Sequence, residues 1–215
     1  MDQLSEFARQ SGIAIEVGTR GLIPDHLHLY LDIAEKLKSP ILRMVVDASD
    51  YHPGKEDIIA IIRNHLPELE KRNIILAIEN HDRLTARTFA EIIHKIGSDR
   101  VGICLDSVNS MGAGEGIESV VDRLGPLTVN LHIKDFSVQR VYHMMGFVIE
   151  GQPAGQGMLP IEEIVKKLES HQRCQSAILE LWTPPEKTID KTIAKEAKWA
   201  AESIDFLSQV IRNSP

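Results

Sequence analysis

Six short runs of β-branched and aliphatic residues recur along the chain at intervals of about 30 residues, with helical segments between them. We expect strands at Ile13–Val17, Ile41–Val46, Ile74–Ile78, Val101–Leu105, Thr128–Ile133 and Ser176–Leu181. Between these runs, apolar residues recur with the spacing of the buried face of an amphipathic helix. A strand followed by a helix, repeated in this way, is typical of parallel βα units. The pattern therefore predicts an α/β fold built on a parallel sheet.

The segments with helical spacing predict where the helices lie. We expect helices at His28–Leu37, Asp57–Leu69, Phe89–Ile96, Ile161–Leu168 and Ile193–Ile211. Neither a linker nor a shift in composition divides the chain, so residues 1–215 are expected to form one domain. The stretch Phe136–Leu159 has several glycines and no clear period, which predicts a long functional or mobile loop.

Repeated βα units build either a doubly wound sheet or a (β/α)₈ barrel. No Gly-x-Gly-x-x-Gly follows the first predicted strand, and no Gly-x-x-x-x-Gly-Lys-Ser/Thr occurs. The segment Gly112–Gly116 is rich in glycine but lacks the lysine and the spacing of a phosphate loop. The chain therefore lacks the nucleotide-binding motifs that would have supported a doubly wound sheet.

The charge and composition of the chain limit its partners. Lys plus Arg is 24 and Asp plus Glu is 31, which leaves a net charge of −7 and predicts no nucleic-acid partner. No apolar run approaches the roughly 18 residues of a membrane helix, and the first residues do not resemble a secretory signal. Two cysteines, Cys104 and Cys174, make no disulfide framework. We therefore expect a cytoplasmic protein that acts on a small molecule and binds no membrane.

In four of the predicted strands, one face is uniformly apolar and the other is small or polar. On the strand Thr128–Ile133, for example, Thr128, Asn130 and His132 share the polar face, whereas Val129 lies on the apolar face. In a barrel, the apolar face meets the helices and the other face meets the barrel axis.

Each polar face ends in an acid or a histidine at the carboxyl end of its strand: Glu79, Asp106, His132 and Glu180. Three carboxylates that converge on one barrel mouth repel each other, and a divalent cation removes that repulsion. This oxygen and nitrogen ligand set suits Mn²⁺, Mg²⁺ or Co²⁺, with Zn²⁺ as a further candidate. A single acid of this kind is commonly a helix cap or a loop salt bridge, but the shared parity on four strands favours a metal site.

The chain resembles the sugar phosphate isomerase/epimerase family of the xylose-isomerase-like TIM barrel superfamily in four segments: Ala77–His81, Val101–Asn109, Leu131–Asp135 and Ile178–Glu180. The resemblance implies a TIM-type parallel (β/α) barrel. It implies that one divalent metal ion is bound at the four strand ends and that two of the ligands, Glu79 and Glu180, also transfer protons. The implied activity is a metal-dependent sugar or sugar phosphate isomerase or epimerase that works through an enediolate held by the metal.

Barrels of this family have eight strands, and we count six in this sequence. By the same resemblance, Asp2–Ser11 corresponds to the helix before the third family strand, so the first two strands are missing from the pattern. We expect an open barrel in which Ile13–Val17 and Ser176–Leu181 border a gap or pair with a partner chain, as in a homo-oligomer. Because Glu180 lies on such an edge, an inactive barrel fragment is a further alternative.

Five polar residues near the predicted mouth are candidates for binding the substrate: Arg43, His81, Asn109, Lys134 and Arg140. The side chains of Lys134 and Arg43 suit a carboxylate, a phosphate or a developing oxyanion. The alternative for Lys134 is a salt bridge to Asp135 or Asp106, and the alternative for Arg43 is a salt bridge to Glu16. A second-shell hydrogen bond is the alternative for His81, and a solvated position in the loop is the alternative for Arg140.

Other reactions are open to the same site. A decarboxylase or dehydratase of an oxidised sugar acid also passes through an enediolate, and Lys134 together with Arg140 would fit its carboxylate. Endonuclease action at abasic DNA would need several more histidine ligands, but most of the nine histidines lie away from the four strand ends. The net charge of −7 also disfavours that third alternative.

Overall fold

Six parallel strands form one curled, open sheet, which is the partial TIM barrel that the family resemblance implies. The computed structural model describes residues 1–212. The sheet has the order β1-β2-β3-β4-β5-β8, in which the strands are β1 (Val17–Arg20), β2 (Ile41–Val45), β3 (Ile75–Glu79), β4 (Val101–Asp106), β5 (Thr128–Ile133) and β8 (Ser176–Leu179). Strands β6 (Phe136–Arg140) and β7 (Phe147–Gly151) form a separate antiparallel hairpin.

Seven α-helices accompany the sheet in the described part of the chain: α1 (Asp2–Gln10), α2 (Pro24–Leu37), α3 (Lys55–Arg72), α4 (Ala86–Ile96), α5 (Ile117–Leu124), α6 (Ile161–Ser170) and α7 (Ile189–Arg212). Helix α4 illustrates how the sequence sets their limits. The hydroxyl of Thr85 caps its first turn by accepting a hydrogen bond from the Thr88 amide, and Gly97 ends it in the left-handed conformation. None of the helices in residues 1–212 is both long and apolar enough to cross a bilayer.

The first strand begins later than the sequence predicts. Its residues are Val17–Arg20, paired in parallel with β2 from Val17 opposite Leu42, and not Ile13–Val17. The amide of Ile13 still donates to the Ala8 carbonyl at 2.8 Å, so this residue belongs to the turn that ends α1. Its side chain is 56% exposed. Arg20, which lies outside the predicted strand, is therefore the last residue of β1, at the carboxyl end of the sheet.

The two faces of the sheet follow the predicted parity except at Thr128 and Val129, where β5 begins. Apolar residues such as Leu76, Ile103 and Leu131 pack in the main core, while a small cluster of Ile41, Ala77, Cys104 and Val129 fills the barrel interior. The register between β4 and β5 shifts between Ile103 and Cys104. Because of this bulge, Val129 faces the interior, and the predicted inward residue Thr128 instead donates its hydroxyl to the Leu124 carbonyl of α5.

Residues 136–159 are more regular than the predicted loop. Strands β6 and β7 pair from Phe136 opposite Gly151 to Arg140 opposite Phe147, and most of the hairpin is exposed. Its base is fixed by the buried carboxylate of Asp135, which accepts four backbone N–H bonds at 2.8–3.0 Å, donated by Phe136, Gly155, Gly157 and Leu159. Gly157 has no room for a Cβ atom because the Asp135 carboxylate and the Phe136 carbonyl lie against it.

The ends of the sheet are β1 and β8, as expected for an open barrel. A polar contact nevertheless links residues near the two ends, because the Asn130 amide donates to the Glu16 carboxylate at 2.9 Å and to the Ser176 hydroxyl at 2.8 Å. Pairing of either edge with a second chain stays a prediction.

Replacement of Asp135 by alanine is expected to lower the free energy of unfolding by about 2–4 kcal/mol, because four backbone amides, two of them buried, lose their acceptor. Urea denaturation measures the change. Asp122→Ala is the matched control, since Asp122 forms an exposed ion pair with Lys167, and its expected loss is below about 0.5 kcal/mol. Equal losses in the two variants would contradict the anchoring role of Asp135.

Candidate metal and substrate site

The four predicted ligand residues meet at the carboxyl end of the sheet. Register places Asp106 opposite His132, and the amide of Glu180 continues β8 by donating to the Ile133 carbonyl at 3.0 Å. Donor atoms of Asp106, His132 and Glu180 all lie within 4.8 Å of one another. Donor atoms of Glu79, Cys104 and His132 satisfy the same limit. The three carboxylates therefore surround the His132 imidazole, at which the two groups overlap, and Cys104 belongs to the group that contains Glu79.

Asp106 is held from both sides by amides. Its carboxylate Oδ1 accepts hydrogen bonds from the backbone amides of Val108 and Asn109, each at 2.8 Å. The side chain of Asn80 receives the Asp106 amide at 2.7 Å and donates to the Asp106 carbonyl at 3.0 Å. Asp106 is completely buried, and these four hydrogen bonds fix the positions of its backbone and its carboxylate.

Glu79 is the more enclosed of the two glutamates. It is 5% exposed, and its Oε1 accepts a hydrogen bond from the Asn109 side-chain amide at 2.9 Å. Arg43 Nε lies 3.2 Å from Oε2. Burial raises the pKa of Glu79 above its ordinary value, although the Arg43 guanidinium opposes this shift.

Glu180 has the opposite environment. Its side chain is 43% exposed, with Oε2 at 3.1 Å from His132 Nδ1 and Oε1 at 3.2 Å from Lys134 Nζ. The hydrogen bond from His132 and the nearby Lys134 ammonium lower the pKa of Glu180 to about 2. Burial alone would lower the pKa of Lys134, but the carboxylates of Asp106 and Glu180 outweigh it and raise that pKa.

The donor atoms fit a divalent cation. Asp106 Oδ2 and Glu79 Oε2 are both buried and receive no hydrogen bond, although cationic groups lie near them. Buried carboxylate oxygens are normally satisfied, and a metal ion would satisfy both. Carboxylate and imidazole donors of this kind suit Mn²⁺, Mg²⁺ or Co²⁺. The ligand assignment stays a prediction.

Four of the five predicted substrate contacts line one cleft of about 400 Å³: Arg43, His81, Asn109 and Lys134. Arg43 pairs with Glu79 and not with Glu16, and Lys134 pairs with Asp106 and not with Asp135. The His81 ring contacts the Asp82 carboxylate. Glu79 and Glu180 line the same cleft, so both glutamates face the space that a substrate would fill.

Arg140 does not belong to this cleft lining. Its guanidinium donates to the Met144 carbonyl at 2.8 Å and lies 4.6 Å from the centre of the Phe147 ring. These contacts fix it within the exposed hairpin of β6 and β7. A role for Arg140 in binding substrate stays a prediction that these contacts do not support.

Sequence reasoning missed three residues of the site. Arg20 lines the cleft, but the early placement of β1 concealed it. Asn80 holds the backbone of Asp106, and its position next to Glu79 was the available signal. Cys104 lies beside Glu79 and His132, and its inward parity two residues before Asp106 could have identified it as a donor.

The low pKa of Glu180 predicts how its contribution to stability depends on pH. The ionised carboxylate stabilises the folded state above the unfolded pKa, and protonation removes that contribution as the pH falls toward about 2. We therefore expect the difference in unfolding free energy between wild type and Glu180→Gln to shrink between about pH 5 and pH 2.

Urea titrations in the presence of a chelator, at several pH values, measure this difference. Glu150→Gln, on the exposed hairpin, is the matched control for the exchange of side chains. A difference that grows on acidification would contradict the assigned contacts of Glu180.

Comparison with known proteins gives the family. A family model described as xylose isomerase-like TIM barrel matches residues 20–210. The 3-oxo-isoapionate decarboxylase of Pectobacterium atrosepticum is 32% identical over 207 residues, which are 96% of this chain and 75% of that protein.

Two solved structures share the fold at low sequence identity. A xylose isomerase-like TIM barrel protein from Mycobacterium smegmatis in complex with magnesium has a TM-score of 0.72 at 14% identity, covering 95% of this chain and 75% of that chain. D-psicose 3-epimerase in the presence of D-fructose has a TM-score of 0.72 at 16% identity, covering 96% and 81%. The family match and the curved parallel sheet together show that this chain belongs to the xylose isomerase-like TIM barrel family.

Proposed function

We propose that the protein is a divalent-metal-dependent decarboxylase of an oxidised sugar acid that carries a 3-oxo group. The observation that carries this proposal is the charge of the cleft. Its lining contains the cations Arg20, Arg43 and Lys134. Against these stand the carboxylates of Glu79 and Glu180 in the lining and the buried Asp106.

With Glu79 ionised, three cationic and three anionic side chains balance one another, so a divalent ion would make the cleft positive by two charges. With Glu79 protonated, the excess would be three charges. Such a cleft attracts an anionic substrate, whereas a neutral ketose would leave the excess charge uncompensated. The 3-oxo-isoapionate decarboxylase that is 32% identical to the chain supports the same class of reaction.

The residues divide into three roles under this proposal. Asp106, His132 and Glu180 form the group whose donors are all oxygen or nitrogen and would hold the ion, which leaves Glu79 for proton transfer. The ion, when bound, would stabilise negative charge on the substrate oxygens. Lys134 and the two arginines would bind the substrate carboxylate and orient it.

Decarboxylation then needs one proton. The bond between the carboxylate carbon and C2 breaks, carbon dioxide leaves, and the electron pair remains as the enolate of C2 and C3. Glu79 would deliver this proton to C2, because its burial favours the protonated carboxyl group. Solvent would then reprotonate Glu79. Glu180 is ionised by its cationic neighbours, which suits a ligand better than a proton donor.

The test is turnover of 3-oxo sugar acids with Mn²⁺ in heavy water. We expect release of carbon dioxide and one deuterium at C2 of the product. Glu79→Gln is expected to lower kcat by about 10²-fold or more, because proton transfer is lost, while affinity for Mn²⁺ changes by less than about tenfold. Retention of the wild-type kcat in this variant would contradict the role of Glu79.

Lys134→Met is expected to raise KM for the acid substrate by about tenfold or more, because it removes a charge that binds the carboxylate. Lys166→Met, on the exposed face of α6, is the matched control and should leave KM unchanged. No turnover of any 3-oxo sugar acid by the metal-loaded wild type would contradict the proposed function.

Epimerisation or isomerisation of a sugar or sugar phosphate is the second candidate. The observation that favours it is that Glu79 and Glu180 line the same cleft. A pair of carboxylates could exchange protons with opposite faces of a substrate. Product mass separates the two reactions. An epimerase would incorporate solvent deuterium without release of carbon dioxide.

A further inference from the structure

A second set of donor atoms lies deeper in the barrel than the group formed by Asp106, His132 and Glu180. Strands β3 and β4 pair with Glu79 opposite Cys104. Donor atoms of Glu79, Cys104 and His132 lie within 4.8 Å of one another, and all three residues are buried. We call these three residues the thiol triad. It shares only His132 with the other group, so two possible coordination sets overlap at one imidazole.

The thiol triad contains an oxygen that lacks a hydrogen-bond donor. Glu79 Oε2 is buried and receives no hydrogen bond. The Nε atom of Arg43 lies 3.2 Å away, but its orientation does not meet hydrogen-bond geometry. Leaving such an oxygen unsatisfied is costly, and a cation between Glu79 and Cys104 would satisfy it.

The chemistry of the donors determines which cation fits. Zn²⁺ and similar ions bind thiolate, imidazole and carboxylate together, whereas Mg²⁺ and Mn²⁺ prefer oxygen ligands. We propose that Glu79, Cys104 and His132 form a second binding site, for a thiophilic divalent cation of the Zn²⁺ class. When the ion binds, the Cys104 thiol releases its proton to solvent and its sulfur bonds to the metal. The thiol would thereby give up its 3.1 Å contact with Asn130 Oδ1.

Occupancy of the two sets is mutually exclusive, because both need His132. A thiophilic ion would also engage Glu79, which is the proton donor of the proposed function. Zn²⁺ would therefore displace Mn²⁺ and inhibit turnover. This site extends beyond the proposed function, since its ligands can be tested without any substrate.

The test is titration of the metal-stripped protein with Co²⁺, followed by zinc affinity from competition with a chelator. Wild type and Cys174→Ser should show a thiolate-to-cobalt charge-transfer band, and Cys104→Ser should lack it. We expect Cys104→Ser to lose at least about tenfold in Zn²⁺ affinity while its Mn²⁺ affinity changes by less than about threefold. Retained Mn²⁺ binding also shows that the variant is folded.

Asp106→Asn should give the reverse pattern, with weakened Mn²⁺ binding and a preserved cobalt band. X-ray absorption of the zinc-loaded wild type needs no variant, and a sulfur neighbour at about 2.3 Å is expected. Only oxygen and nitrogen neighbours around zinc, or a charge-transfer band that persists in Cys104→Ser, would overturn the site. Failure of decarboxylation alone would overturn the proposed function and leave this result intact.

Discussion

The convergence of three carboxylates on one imidazole, at the carboxyl end of a parallel sheet, is the constraint on which the rest of the site depends. Asp106 is fully buried and Glu79 is nearly so. Burial of like charges is costly unless cations or hydrogen bonds compensate them. Arg43 and Lys134 provide cations at 3.0–3.2 Å, and backbone amides provide hydrogen bonds to Asp106. The contacts around the cleft are therefore consequences of bringing these acids together.

Asn109, predicted as a substrate contact, also holds two of the acids together. Its backbone amide donates to Asp106, its side-chain amide donates to Glu79 Oε1, and its Oδ1 lies 3.4 Å from Lys134 Nζ. One residue thereby fixes the spacing of two acids and a cation. Since Asn80 also holds the Asp106 backbone, protein amides help to orient both carboxylates, and a ligand would meet a preorganised site.

Strand parity was sufficient to predict which side chains meet, because residues two apart on a strand must share a face. It could not predict where that parity breaks. The bulge that turns Val129 inward depends on the close approach of Val129 to Gly102 on the neighbouring strand, which a single sequence does not reveal. The start of β1 depends similarly on the amide of Ile13, which remains bonded to α1 despite the β-branched side chain.

The hairpin of β6 and β7 escaped prediction for another reason. Its turn contains Met144 at a positive φ of 63°, without the Asn-Gly or Asp-Gly pair that signals a tight hairpin. Its base depends on Asp135, whose acceptor role emerges only when residues 155–159 fold back onto it. The sequence thus predicts which acid- and histidine-bearing strand ends converge, whereas contacts between distant segments determine their surroundings.

The position of β1 also bears on the choice between substrates. With the strand at Val17–Arg20, Arg20 lies at the mouth and Gly18 leaves space for the Arg43 guanidinium against its backbone. Both arginines then join Lys134 in the lining of the cleft. A sugar acid and a neutral sugar could present similar oxygens to a metal, so the ligand residues alone do not distinguish them. In the proposed function, discrimination between them comes from these three cations and hence from residues outside the ligand set.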